Sequence, residues 1–533
     1  MPAATIQSQM ATVYNQQQNS QFGTGRYAYF FKPGTYTGID VQIGFYMQAV
    51  GLGQTPDAVS ITGAVRFNSN GNATQDFWRG VENLEVTTSA AINGGTTVWA
   101  VSQGTHLRRV HVNGNVHLSD NGNSSGGYMA DSLVTGIVTP GSQQQWFTRN
   151  SDLGGWNGAN WNIVFVGDGP GGTIQPAGTW PQPAITVVPT TPVIREKPFL
   201  YLDSSGNYLV MVPQPKASSM GHSWASAAPP GSPLSICLFY IATPTDTAAT
   251  INAALASGKH LLLTPGVYHL ASPIQVNNPG TVVMGLGLPS LIPTGGNSAL
   301  TVGDVDGVTL SGFLLDAGPM SAPTLLEVGP AGSTQSHSAA PTAIFDVHCR
   351  VGGAVPGTAQ SCVTINSNDV LSDNTWYWRA DHGSGVGWNS NKSNSGLIVN
   401  GNNVTAYGLF VEHHQQYQTL WNGNNGSTYF YQSELPYDVP NQAAWQESAT
   451  VPGYPSYKVG DTVTTHTAEG LGVYAVFNNP GAVVEANGFE TPTAPGISMH
   501  HLVTVSIRGT INHIINNTGN QATTGMTYGY STN

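Results

Sequence analysis

Charge is what this sequence has least of. Asp, Glu, Lys and Arg make up 8% of the 533 residues, against about a quarter in ordinary soluble domains. The 16 Lys and Arg are scattered without a basic run, and the formal charge is -12 at neutral pH. Nucleic-acid affinity comes largely from Lys and Arg neutralising phosphates, so no nucleic-acid partner is expected. No segment is long enough to span a membrane, and the opening MPAATIQSQMATVYNQQQ has neither the basic start nor the apolar run of a secretion signal. Cysteine is rare as well, at three residues, and no Cys/His spacing matches a zinc site. Either all three are buried thiols, or Cys349 and Cys362, thirteen residues apart, bridge neighbouring turns and leave Cys237 alone.

Other absences narrow the chemistry. The adjacent pairs His413–His414 and His500–His501 suggest metal ligands, but neighbouring strand residues point to opposite faces, so neither metal nor cofactor is expected. The GLG segments lack the third glycine and following helix of a dinucleotide loop. No G-x-S-x-G elbow occurs.

What is present is a turn-rich β composition: 65 Gly, 34 Pro and a hydrophobic fraction of 40%. Such a chain can bury a core, and its length exceeds what one core holds. It also repeats itself. AATIQSQM (Ala3–Met10) returns as AATINAAL (Ala248–Leu255), and RYAYFFKPGTY (Arg26–Tyr36) as KHLLLTPGVY (Lys259–Tyr268). VGLGQTP (Val50–Pro56) returns as MGLGLPS (Met284–Ser290), and GVENLEV (Gly80–Val86) as GVTLSGF (Gly307–Phe313). Four matches in one order indicate two related domains. Strands of three to six residues between Gly/Asn/Asp turns fit two stacked-coil parallel β-helices, each opened by a capping helix; a β-sandwich is the rival. The stretches Gly169–Phe199 and Pro213–Pro233 are Pro-rich, yet Trp180, Phe199, Tyr201 and Trp224 make them too apolar for a free linker. The expected division is 1–185, a connector at 186–240, and 241–533.

In so uncharged a chain, Glu412 and Glu434 stand out. They lie twenty-two residues apart, close to one β-helix coil, so adjacent coils can stack them about 4.8 Å apart. Alternation puts Leu409, Val411 and His413 on one side of a strand and Phe410, Glu412 and His414 on the other. The parity at Glu434 is open, since Tyr429 and Tyr431, or Phe430, could point inward. Two neighbouring carboxyls are what glycoside hydrolysis requires. The bland reading, a charged pair on a solvated face, fits poorly beside Trp421, Tyr429, Tyr431, Tyr437 and Trp445.

Three segments carry a family resemblance: DNTWYWRADHGSGVGW (Asp373–Trp388), GLFVEHHQQYQTLWNGNNGSTYFYQSELPYDVPNQAAW (Gly408–Trp445) and VSQGTHLRRVHVNG (Val101–Gly114). They resemble glycoside hydrolase family 55, the β-1,3-glucanases or laminarinases, and the similarity extends over nearly the whole chain. The resemblance implies an all-β protein of two tandem right-handed parallel β-helices of pectin-lyase-like type, joined by a long connector. It implies exo-acting, inverting hydrolysis of β-1,3-glucan with glucose release, by a secreted, monomeric enzyme. Carried over by motif, Glu434 is the general acid and Glu412 holds the attacking water, with Gln103 and Ser125 as partners for that water. Expected substrate contacts are Trp378, Asp381, His382, Trp421, Tyr437 and Gln145. Gln143, Gln144 and Gln145 could instead form a stacked amide ladder, and any inward Trp or Tyr could be core filling. The rival readings are another polysaccharide-degrading β-helix enzyme, such as a lyase or polygalacturonase, and a non-catalytic β-helical glycan-binding module.

Overall fold

The computed structural model describes the chain apart from residues 1, 70, 170–172, 176, 177, 482 and 533, with backbone alone at 173–175. Parts of the Pro-rich stretch, 170–172 and 176–177, thus lie outside the described residues. Two α-helices occur among the described residues, Ala3–Gln17 and Ala248–Ala256. Both buried faces follow helical spacing: Ile6 and Met10 in the first, Ala248, Ile251 and Leu255 in the second. The Thr247 side chain caps the second helix by accepting from the Thr250 N–H at 3.1 Å.

By packing, the chain divides into Met1–Phe239 with Gly285–Leu288, and Tyr240–Met284 with Pro289–Asn533. The first unit threads the parallel strands Tyr27–Phe31, Met47–Gly51, Arg79–Thr88, Thr105–Val112, Tyr128–Ala130, Gln145–Arg149, Asn162–Val166 and Ile185–Val188 through one sheet. Successive neighbours are never consecutive in sequence, as a coil-on-coil parallel solenoid requires. Residues 191–235 pack with this unit as short antiparallel strands, Thr191–Ile194 on Lys216–Ser219, and Phe199–Leu202 on Tyr208–Pro213 on Gly231–Ser235. Trp180, Phe199, Tyr201 and Trp224 are buried.

The second unit has a long sheet running from His260–Leu263 through Val370–Arg379, Thr405–Glu412, Gly426–Glu434 and Thr465–Val476 to Gly496–Arg508. A ten-stranded sheet accompanies it, including Ser395–Val399 and Thr419–Trp421. Its core is built in columns, one being Ile365, Val399, Trp421 and Val459 in register.

A second kind of column sets which side chains leave the core. Asn374, Gly408, Phe430 and Gly470 occupy equivalent positions in successive coils, and all have positive φ, at 59°, 60°, 68° and 70°. This left-handed bend shifts the alternation by one residue. Ala406 is in the core before the bend, Leu409 and Val411 after it, and Glu412 is therefore directed away from the core. The parity left open around Glu434 is settled the same way. Phe430 takes the bend, Tyr431 enters the core, and Tyr429 stacks outside on Tyr407 at 5.3 Å and 14°.

Amide ladders occur at the turns of this unit: the Asn422 Nδ2 donates to Asn400 Oδ1 at 2.9 Å, and the Asn400 Nδ2 to Asn366 Oδ1 at 2.8 Å. The ladder anticipated for Gln143–Gln145 is replaced by individual bonds. The Gln143 Nε2 donates instead to the Val101 and Leu118 carbonyls at 2.9 and 2.7 Å. The reading of three buried free thiols is also corrected. Cys349 and Cys362 form a disulfide, and Cys237 is exposed. Cys349 faces the core from the long sheet and Cys362 from the ten-stranded one, so the bond ties the two sheets together.

Candidate active site

Four equivalent positions on adjacent strands of the second unit build the site. Trp378 pairs with Glu412, Glu412 with Glu434, and Glu434 with Tyr474. Each lies four residues beyond its coil's left-handed bend, which gives all four the same orientation. Two residues back, Trp376, Phe410, Gln432 and Gly472 form a parallel row.

Neutral side chains address the two carboxyls. The Trp376 Nε1–H donates to Glu412 Oε2 at 2.9 Å, and the Gln432 Nε2–H to Glu434 Oε1 at 3.4 Å. The Tyr437 hydroxyl hydrogen-bonds Glu434 Oε2. Burial, and then the charge of Glu434, push the Glu412 carboxyl well above the usual range. Burial also raises Glu434, against the lowering pull of His413 and the Tyr437 hydrogen bond. Glu412 is buried and Glu434 half-buried; two carboxyls so close repel when both are ionised, so they titrate as a pair.

Around the pair, Trp378 stacks on Trp376 at 5.0 Å and meets the His382 ring at 5.3 Å. His382 Nδ1 lies 2.9 Å from Asp381 Oδ1. Burial would raise Asp381, but His382 and His413 outweigh it and hold that carboxyl below its ordinary value. The His413 ring packs on Tyr437 at 4.4 Å, with Nε2 3.9 Å from Asp381 Oδ1.

His413 departs from the expected alternation. Its φ of 67° turns its ring to the Asp381 and Tyr437 side, and His414 goes inward, to Ser393 Oγ at 2.8 Å and the Tyr377 carbonyl at 3.2 Å. The backbone turn is fastened by three bonds. The His413 N–H donates to the Glu434 carbonyl at 2.9 Å, its Nδ1 lies 3.1 Å from the Leu435 carbonyl, and Arg379 donates to the His413 carbonyl at 3.2 Å. Arg379 also makes a two-pronged ion pair with Asp438 at 2.9 and 2.8 Å. Burial drives His414 down to about 3, so it is a neutral core residue.

Of the anticipated residues, Glu412, Glu434, Trp378, Asp381, His382 and Tyr437 thus converge on one face of the second unit. Trp421 does not. It is fully buried in the core, stacked near Tyr457 at 6.3 Å and edge-on to His466 at 4.9 Å, because the unbent Thr419–Trp421 strand keeps simple alternation. In the first unit, Ser125 donates to Gln103 Oε1 at 3.1 Å and also contacts Ser102, so these two expected water-holding residues sit together. Gln145 is buried there too, with its amide on the Ser125 carbonyl. Trp376 and Gln432 were not singled out from sequence. The i, i+2 spacing of Trp376 with Trp378, and of Gln432 with Glu434, was the signal available for them.

Comparison with known proteins follows the same lines. The LAM55 pectate lyase-like domain family matches residues 239–434. An exo-β-1,3-glucanase of Streptomyces sp. (strain SirexAA-E / ActE) is 48% identical over 524 residues, covering 96% of this chain and 84% of the relative. A glucan 1,3-β-glucosidase of Cochliobolus carbonum is 26% identical over 310 residues, 46% of this chain and 36% of its own. The solved structure of sacteLam55A from Streptomyces sp. SirexAA-E matches with a TM-score of 0.95 at 46% identity, covering 99% of this chain and 96% of that one. A glutamate-to-alanine variant of sacteLam55A, in complex with glucose, matches with the same TM-score, covering 99% and 95%.

Proposed function

The chain belongs to the β-1,3-glucanases of glycoside hydrolase family 55, and from that premise we propose that it hydrolyses β-1,3-glucan from chain ends, releasing glucose with inversion at the anomeric carbon. The observation that carries this reading is the placement of Glu412 and Glu434 side by side on adjacent coils, the first buried and the second half-buried, beside neutral donors. Hydrolysis of a glycosidic bond needs one carboxyl that keeps its proton and a second group that commits a water to attack. Glu434 is the acid that protonates the leaving oxygen. Glu412 holds the attacking water. Trp378 offers an aromatic face to a glucosyl ring, while Asp381, His382 and Tyr437 bind its hydroxyls.

Inversion needs the carboxyls roughly 6.5–9.5 Å apart, to leave room for water. Strand stacking alone brings the two backbones to about 4.8 Å. The side chains are drawn to different partners, Glu412 to Trp376 and Glu434 to Tyr437, which favours the wider spacing. The enzyme works outside the cell as a monomer; the Cys349–Cys362 disulfide suits an oxidising compartment.

The test is incubation of wild type and Glu434→Gln with laminarin, following products by chromatography and the first-formed anomer by NMR. Glucose appearing first as the α-anomer, from wild type alone, is the expected result. A β-anomer would overturn inversion, and an equally active variant would overturn Glu434 as the acid.

A further inference from the structure

Resting on that reading, we infer that Arg379 is a positioning residue which, through Asp438, holds the Tyr437 hydroxyl on Glu434 and so keeps the acid's side chain in place. The basis is how one guanidinium spends its donors. It carries five N–H groups in a rigid planar fork. Arg379 Nε donates to the Asn391 carbonyl at 2.8 Å. One terminal nitrogen donates to the His413 carbonyl at 3.2 Å and to Asp438 Oδ1 at 2.9 Å. The other donates to the Gly387 carbonyl at 3.1 Å and to Asp438 Oδ2 at 2.8 Å. Five donors thus meet five acceptors, on a side chain that is 1% exposed.

The acceptors belong to three segments that leave neighbouring strands at the same end. Arg379 closes the strand Val370–Arg379, His413 follows Thr405–Glu412, and Asp438 lies shortly beyond Gly426–Glu434. Because Trp378, Glu412 and Glu434 are in register, the three segments start side by side. Each carries a residue of the site: Asp381 and His382 in the first, His413 in the second, Tyr437 in the third. The first is pinned further by Asn391, whose Nδ2 donates to the Val351 and Ala380 carbonyls at 2.9 and 2.8 Å.

The third segment shows why the fork matters to the acid. Toward the following coil it is tied by backbone: the Leu435 N–H donates to the Tyr474 carbonyl at 2.9 Å, and the Asn478 N–H to the Tyr437 carbonyl at 2.8 Å. Toward the preceding coils two ties hold it, His413 on the Glu434 and Leu435 carbonyls and Arg379 on Asp438. Arg379 also grips the His413 carbonyl, so both ties run through it. Tyr437 sits between them, with its ring on His413 at 4.4 Å and its hydroxyl on Glu434 Oε2. The other side-chain bond to Glu434, from Gln432, is long at 3.4 Å, which makes Tyr437 the main restraint on this carboxyl. Misplacing a reacting group by about 1 Å can cost on the order of a hundredfold in rate.

A double-mutant cycle on laminarin tests the link, with kcat/KM taken per folded molecule and folding checked by melting curves. Asp438 is 26% exposed, and Asp438→Asn leaves Arg379 one side-chain acceptor. Asp438→Asn and Tyr437→Phe should each lower kcat/KM about tenfold, and the double variant also about tenfold, because both sever one link. Should Asp438→Asn not fold, Asp438→Glu takes its place, keeping the charge but moving the turn. A tie that served only the fold would lower the melting point and leave the rate per folded molecule alone. That result, or a loss from the Asp438 substitution undiminished in the Tyr437→Phe background, would overturn the inference. Glu434→Gln separates this from failure of the underlying reading. Full activity in that variant overturns Glu434 as acid, whereas an inactive Glu434→Gln beside multiplying losses overturns the positioning role alone.

Discussion

The first unit buries Glu82, Asp131 and Glu196 beside Lys197, Arg109 and Arg149; the second ties Asp316 to Arg350 in the same way, but sets Glu412, buried, and Glu434, half-buried, beside a tryptophan, a glutamine and a tyrosine. The architecture is the same, stacked parallel coils with a dry interior, and the partners differ. A cation partner turns a carboxylate into a structural tie, as when Arg149 meets both oxygens of Glu196 at 2.7 and 2.8 Å. Neutral partners leave the proton free to move.

The contrast is sharpened most by exchanging charge for amide on each side of it. Glu434→Gln should cut laminarin hydrolysis by about 10²–10⁴, the usual worth of a general acid, and leave the thermal midpoint unchanged or slightly higher, since a carboxyl raised by burial is replaced by a neutral isostere. Rates on laminarin and a melting curve check both parts. Glu196→Gln should do the reverse. It strands the fully buried Arg149 and should cost about 3–5 kcal/mol of stability, read from the urea midpoint, with the specific activity of folded enzyme retained. Activity lost without loss of stability would break the distinction.

A smaller effect concerns the covalent tie of the second unit. Joint replacement of Cys349 and Cys362 by Ser should lower the unfolding free energy by about 3 kcal/mol, the value for a loop of this length. Cys237→Ser, at an exposed position, should change it by less than about 0.5 kcal/mol. Urea titration of both variants decides.

The smallest effect tests the rule inside the second unit itself, which carries a paired cation of its own. His337 lies between Asp304 at 2.9 Å and Asp306 at 2.7 Å. Burial works against its charge, but hydrogen bonds to the two aspartates outweigh this and raise it. Its contribution is therefore complete below the ordinary histidine value of about 6.5 and is lost as pH rises through the raised folded value. A His337→Asn protein should lack that decline. The difference, about 1 kcal/mol, would be seen in unfolding midpoints measured from pH 6 to pH 9.

Much of this was legible in the sequence, and the limits have physical causes. The twenty-two-residue spacing of Glu412 and Glu434 equals one coil, and the two pair directly in register. Short strands between Gly and Asn turns identify the solenoid because few other folds use them so regularly. The left-handed bends were not read from the sequence: Gly408, Gly470 and Asn374 are residue types that favour such a conformation, but Phe430 in the same column does not advertise it, and His413 adds a further turn of its own. That is why the side of each histidine was reversed and why Tyr429 and Tyr431 could not be told apart. Trp421 illustrates a different limit. A tryptophan on a short strand serves a core or a sugar equally well, and only the column of Ile365, Val399 and Val459 decides.

The left-handed bend has a bearing on how such enzymes change over time. Trp378, Glu412, Glu434 and Tyr474 are each counted from a bend four residues earlier, not from the start of their strand. Residues gained or lost before a bend, in the turns of the same coil, leave the phase of these side chains intact, because every coil begins its count afresh. Turns ahead of a bend are thereby free to lengthen or shorten while Trp378, Glu412, Glu434 and Tyr474 stay in step.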